Sequence, residues 1–190
     1  MPWGKLLLRV LVLTALWVSS TFAQAQATAL DLDGHSVDPL AESNGKVVVL
    51  IFVRRDCPVS ARYAPTIRQI SKDYAGAAKF WLVDPDRNDT PQQIRGYLSD
   101  YGYKLPALRD ASRSLAKLSR VQITPEAAVF NPAHQLVYEG RIDNWYVDIS
   151  RARSAPTTHE LEDAIRAAST GKAVARSAVR GVGCYISDLD

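Results

Sequence analysis

The chain has 190 residues, 47% hydrophobic and 23% charged, with a formal net charge of +3 and two cysteines. So small a net charge excludes a strongly basic nucleic-acid binder and gives no electrostatic case for attachment to a membrane surface. The length suits one domain with an ordinary buried core, and no internal repeat or low-complexity stretch interrupts it.

The N-terminal stretch MPWGKLLLRVLVLTALWVSSTFAQAQA, residues 1–27, begins with Lys5 and Arg9 and continues into the apolar run Val10 to Val18. It ends in small residues that twice fit Ala-x-Ala, at Ala23–Ala25 and Ala25–Ala27. This is the three-part build of a cleaved secretory signal. The apolar run falls short of the roughly 20 residues that span a bilayer, so a retained membrane anchor is the weaker reading. Cleavage would leave a periplasmic or secreted chain starting near Gln26 or Thr28, with no integral membrane span and its net charge lowered from +3 to +1.

The expected elements follow in order. ALDLDGHSVDPLAESNG reads as a small hairpin turning at Asp33-Gly34. KVVVLIFV, Lys46–Val53, is a continuous β-branched apolar run, which suits a strand buried on both faces. Tyr63, Ile67, Ile70 and Tyr74 then recur at helical spacing, with Pro65 inside the helix, where it removes one backbone hydrogen bond. AKFWLVDPD is a second buried strand, and Thr90-Pro91 supplies the N-cap and first position of the next helix. ASRSLAKLSR is a shorter helix, and EAAVFNPAHQLVYEGRI is a pair of antiparallel strands turning at Asn131–His134. A final helix is expected over TTHELEDAIRAASTGK, with a Thr157/Glu160 capping box and Gly171 as its stop. These elements predict an α/β domain over residues 28–171, a mixed sheet flanked by helices, followed by a tail over 172–190.

Chemistry centres on Cys57, placed where a buried strand gives way to a helix. Unpaired N–H groups and the positive end of the helix dipole favour thiolate over thiol there, and Pro58 fits the first turn. Arg54 and Arg55 add positive charge, although strand alternation lets only one face the sulfur, and Asp56 works against both. A Cys-x-x-Cys site would need its second thiol at position 60, which is Ser60; its hydroxyl can hydrogen-bond a thiolate but cannot resolve a mixed disulfide. Cys184, in RGVGCYI, is the remaining thiol, and Gly181 and Gly183 permit a close backbone approach. A Cys57–Cys184 disulfide is an expectation that leaves a resolving and a purely structural role for Cys184 equally open. A permanent, unstrained bond of that loop length would stabilise the fold by roughly 4–5 kcal/mol. His35, His134 and His159 are scattered, so neither a metal nor any other cofactor is expected.

The segments DCPVSARYAP, ITPEAAVF, YEGRIDNWY and GVGC, in this order, resemble the thioredoxin-like superfamily. Within it they resemble exported bacterial redoxin-domain proteins of the alkyl hydroperoxide reductase and thiol-specific antioxidant type, over about residues 28–186. The resemblance implies a thioredoxin-like fold with the helices of residues 90–118 inserted after its second strand. It also implies a cis peptide at Thr124-Pro125 facing Cys57, with a backbone edge left free beside the cysteine for a substrate peptide. Cys57, Cys184 and Pro125 are then the catalytic candidates, with Ser60, Arg55, Thr124, Glu126 and Arg141 as substrate-binding candidates. Arg141 and Asp143 have the plainer alternative of pairing with each other or capping a turn. Typical peroxiredoxins carry Pro-x-x-x-Thr-x-x-Cys, but Leu50 and Arg54 stand at those two positions here. The expectation is therefore thiol–disulfide exchange with protein or small-molecule partners. Peroxide reduction by the same cysteines and a non-catalytic binding module with a structural disulfide are the alternatives.

Overall fold

The computed structural model describes residues 27–187; residues 1–26, which hold nearly all of the expected signal segment, lie outside the described residues. In chain order the elements are β1 (Ala29–Asp31), β2 (Ser36–Val37), a short 3-10 turn (Ala41–Ser43), β3 (Val47–Phe52) and α1 (Pro58–Asp73). They continue with β4 (Ala78–Asp84), α2 (Pro91–Asp100), β5 (Ala107–Arg109), α3 (Ser114–Ser119), β6 (Ile123–Thr124) and β7 (Glu126–Phe130). The last are β8 (Leu136–Gly140), β9 (Tyr146–Asp148), β10 (Arg151–Ala152), α4 (Glu160–Ser169), β11 (Ala178–Val179) and β12 (Cys184–Tyr185).

Eight of these strands form one sheet in the order β11-β8-β7-β3-β4-β5-β1-β2. β3, β4 and β5 run parallel, while β7 and β8 return antiparallel on the other side of β3. Every residue of β3 is buried, as its unbroken apolar run predicts. Alternation along that strand divides the core. Val47, Val49 and Ile51 share a cluster with Tyr63, Ile67 and Ile70 of α1 and Leu161 and Ile165 of α4. Val48, Leu50 and Phe52 share another with Leu115 and Ala116 of α3. Helices thus cover both faces of a mixed sheet, as expected.

Three local expectations change. The segment between α2 and α3 is more than a helical insertion, because it contains β5, which extends the parallel sheet beside β4. The Thr157/Glu160 capping box does not form. Asn144 takes both threonines of the turn: its side-chain carbonyl accepts from the Thr157 and Thr158 N–H groups, and its amide donates to Thr157 Oγ1 at 2.7 Å. Glu160 is bound by Arg141 and Thr158, so α4 starts from His159 with no side-chain cap. The tail, third, is built into the sheet. β11 lies parallel to β8, and Gly140 (φ +137°) makes this contact, since a Cβ there would come within 2.0 Å of the Val179 carbonyl oxygen.

Candidate active site

β3 delivers the chain to the N-terminus of α1, where Cys57 is the N-cap residue in extended conformation, with Pro58 next in the first turn. Cys57 is 1% exposed. Its thiol donates to the Thr124 carbonyl oxygen at 3.1 Å, directly before the Thr124-Pro125 bond, which is cis. The strand-to-helix geometry and the cis proline thus meet at one sulfur.

The second cysteine arrives from the far end of the chain. β12 pairs antiparallel with β6, with Cys184 opposite Thr124 and Tyr185 opposite Ile123. Thr124 Oγ1 donates to the Cys184 carbonyl at 3.4 Å, and the Ile186 N–H donates to the Gln122 carbonyl at 2.9 Å. Gly183 makes the approach, because a Cβ there would sit 2.0 Å from the Thr124 carbonyl oxygen. Both cysteines are thiols in this structure.

The two sulfurs have opposite acidities. Burial pushes the Cys57 thiol up, but hydrogen bonds from the Cys184 thiol, from the Ser60 hydroxyl and backbone N–H, and from the Thr124 side chain outweigh it. Cys57 is therefore held below its ordinary value, which raises its thiolate fraction. Cys184 is pushed up to about 12 by burial, then by its hydrogen bond and charge interaction with Cys57. The pair thus has one nucleophile and one proton holder.

The remaining candidates divide sharply. Ser60 is fully buried; its Oγ accepts from the Arg54 N–H at 3.4 Å and supports the Cys57 thiolate. It contacts the nucleophile, as a hydroxyl at this position can. Replacing Ser60 with alanine should slow iodoacetamide alkylation of Cys57 at pH 7 by roughly five- to tenfold, as befits one lost hydrogen bond. An unchanged rate and an unchanged pH profile would remove Ser60 from the thiolate's support. Thr124 is buried too, with its carbonyl against Cys57 and its hydroxyl against Cys184.

Arg55 turns away to a salt bridge with Asp89 at 2.8 Å. Arg54 is the one that faces the tail: it donates to the Tyr185 carbonyl at 3.1 Å and pairs with Asp56 and Asp86 at 2.7 and 3.1 Å. Glu126 is a buried fastener for the tail, accepting from the Gly181 N–H at 2.7 Å and the Gln122 N–H at 3.3 Å. Arg141 pairs with Glu160, and Asp143 accepts instead from Tyr63 Oη at 2.6 Å and the Trp145 N–H at 2.8 Å. Arg141 and Asp143 therefore do not pair: Glu160 of α4 takes Arg141, while Asp143 binds Tyr63 of α1 and caps its own turn at the Trp145 N–H. Sequence reasoning gave Glu126 no role in the tail; its partner lies 55 residues away, beyond any local pattern.

The histidines stand apart, His35 on Asp31, His134 on Ser43 and His159 beside Glu162. Among the described residues no three His, Cys, Asp or Glu side chains group to hold a metal ion. No helix of the described residues is long and apolar enough to cross a membrane.

Residues 21–139, a span that contains Cys57, Ser60, Thr124, Pro125 and Glu126, match the AhpC/TSA family. The chain belongs to that family. No curated protein matches it. Among solved structures, this AhpC/TSA-family chain is similar to an uncharacterised conserved protein from Geobacillus kaustophilus, at 22% identity and TM-score 0.70, covering 84% of this chain and 87% of that one. It is also similar to a secreted Mycobacterium tuberculosis disulfide oxidoreductase homologous to E. coli DsbE, at 21% identity and TM-score 0.53, covering 75% and 96%. An exposed lipoprotein thioredoxin from Streptococcus pneumoniae aligns at 21% identity and TM-score 0.54, covering 76% and 97%. At these identities the likeness fixes the fold, which is thioredoxin-like.

Proposed function

We propose that this AhpC/TSA-family chain is an exported thiol–disulfide oxidoreductase that cycles between a Cys57/Cys184 dithiol and the corresponding disulfide. The observation that carries the reading is the antiparallel pairing of Cys184 with Thr124, whose carbonyl also accepts a hydrogen bond from the Cys57 thiol. In the first step the Cys57 thiolate attacks one sulfur of a substrate disulfide. A Cys57–substrate bond forms, the substrate S–S bond breaks, and the departing sulfur takes a proton from solvent.

Cys184 then attacks the Cys57 sulfur, releasing the second substrate thiol and leaving a Cys57–Cys184 disulfide. The substrate has gained two electrons and the protein has lost two; an external dithiol returns them. The order follows from the acidities. While Cys57 is a thiolate, it holds the Cys184 proton in place. Once Cys57 is in a mixed disulfide its charge is gone, so two of the three largest causes that raise Cys184 disappear, and burial remains. Export rests on the signal-like residues 1–27.

The test is stopped-flow mixing of the reduced protein with a protein disulfide and, separately, with hydrogen peroxide, for the wild type and for Cys57→Ser. Fast reaction with the protein disulfide, lost in Cys57→Ser, is the expected result. Fast reaction with peroxide alone would replace it with a thiol peroxidase, in which Cys57 becomes a sulfenic acid that Cys184 condenses with, releasing water. Activity that survives Cys57→Ser would exclude both.

A further inference from the structure

Arg54 is joined to both halves of the cysteine pair. Its backbone belongs to the Cys57 turn: its carbonyl accepts from the Cys57 N–H at 3.2 Å, and its N–H donates to Ser60 Oγ at 3.4 Å. Its side chain leaves that turn for the tail, where Nη1 donates at 3.1 Å to the carbonyl of Tyr185, the residue after Cys184. Nη2 is shared between Asp56 at 2.7 Å and Asp86 at 3.1 Å. Nε is buried and meets no acceptor among the described residues, a costly pose for an arginine whose only task is to pair with nearby carboxylates.

The charge of this side chain matters after Cys57 has reacted. Resolution needs the Cys184 thiolate. On the turn between β3 and α1, Arg54 favours that thiolate and Asp56 opposes it, while Cys57 opposes it until it enters the mixed disulfide. On the tail itself Arg180 donates to the Tyr185 hydroxyl, and Glu126 of β7 is turned to Gly181. Arg54 is thus a cation that favours loss of the Cys184 proton when that proton has to leave.

We propose that Arg54 is the positioning residue for resolution: it seats Cys184 beside Cys57 through the Tyr185 carbonyl, and its charge promotes attack of the Cys184 thiolate on the mixed disulfide. In that step the bond between Cys57 and the substrate sulfur breaks and a Cys57–Cys184 bond forms. The substrate leaves as a thiolate, and the Cys184 proton passes to solvent. This rests on the two-cysteine cycle and gives its second step a residue.

The experiment mixes the reduced full chain with excess dithiodipyridine in a stopped-flow instrument and follows the released thiopyridone across a series of pH values. The first thiopyridone leaves as Cys57 is captured, at a rate proportional to reagent concentration. The second leaves as Cys184 resolves the mixed disulfide, at a rate independent of that concentration. In Arg54→Gln the second phase should slow at least about tenfold at neutral pH, and its pH midpoint should rise by about one unit, the effect of losing a nearby opposite charge. Arg54→Lys restores the charge and should bring the midpoint back. Asp56→Asn, at a side chain 58% exposed, should move the midpoint down and speed resolution. A role in structure alone would slow the second phase alike in Arg54→Gln and Arg54→Lys and leave the midpoint fixed. That result, or an unchanged second phase in Arg54→Gln, would overturn the proposal and leave the cycle standing. A wild type without a concentration-independent phase would overturn the cycle and the proposal together.

Discussion

Replacing Cys184 with serine is expected to arrest the protein after its first chemical step. Cys57 should still attack a substrate disulfide, but the mixed disulfide should persist and be recoverable by non-reducing electrophoresis and mass spectrometry. Steady-state turnover should fall by at least about 100-fold, because resolution loses an intramolecular thiol held against the reacting sulfur. The first step should also slow at neutral pH. Cys184 donates one of the hydrogen bonds that hold the Cys57 thiol below its ordinary value, and serine in its place has a shorter reach. Cys57→Ser should abolish both steps. Full turnover in Cys184→Ser would assign the resolving role elsewhere and leave Cys184 as a structural residue.

The second large effect concerns stability and lies at the end of β4. Asp84 is buried, and burial, followed by the charges of Asp89 and Asp86, raises its carboxyl from 3.8 to about 7 against an opposing hydrogen bond from the Asp86 N–H. The native state therefore keeps a proton on Asp84 that the unfolded chain gives up near pH 4. Between about pH 4 and pH 7 the native state binds more protons, so unfolding free energy declines as pH rises through that window. With about 1.4 kcal/mol for each pKa unit, the decline attributable to Asp84 is on the order of 4 kcal/mol. Asp84→Asn keeps the acceptor for the Asp86 N–H and removes the titration. Urea unfolding at a series of pH values should show a flatter profile for Asp84→Asn and a higher midpoint than the wild type at pH 8. Parallel profiles for the two proteins would show that Asp84 is ionised throughout.

Much of this arrangement is written in local sequence. β3 is legible because six consecutive apolar, largely β-branched residues, Val47–Phe52, suit a doubly covered strand, and α1 because its apolar residues recur at helical spacing directly after it. The junction between them isolates Cys57. Thr124-Pro125 is visible as a dipeptide ahead of β7, although its cis geometry is expected from family resemblance alone, since X-Pro bonds are mostly trans. What stays hidden is set by long-range pairing. β5 has three residues, follows Pro106 and ends in Arg109, so it carries neither length nor alternation to announce it. β11 and β12 have two residues each and exist because Gly140 and Gly183 let backbones close on one another across the fold. The contacts of the polar candidates are hidden for the same reason. Arg55 lies beside Cys57 in sequence and Glu126 and Arg141 lie in later motifs, but their partners Asp89, Gly181 and Glu160 come from elements that local pattern does not connect to them.

In the proposed cycle Cys57 and Cys184 form one redox pair. Its most direct test is to oxidise the reduced full chain with one equivalent of a small disulfide, block remaining thiols, and map the sulfurs by peptide mass spectrometry. The expected product is a monomer with a single Cys57–Cys184 disulfide, reversible with dithiothreitol. Two blocked free thiols, or a disulfide joining two chains, would contradict it.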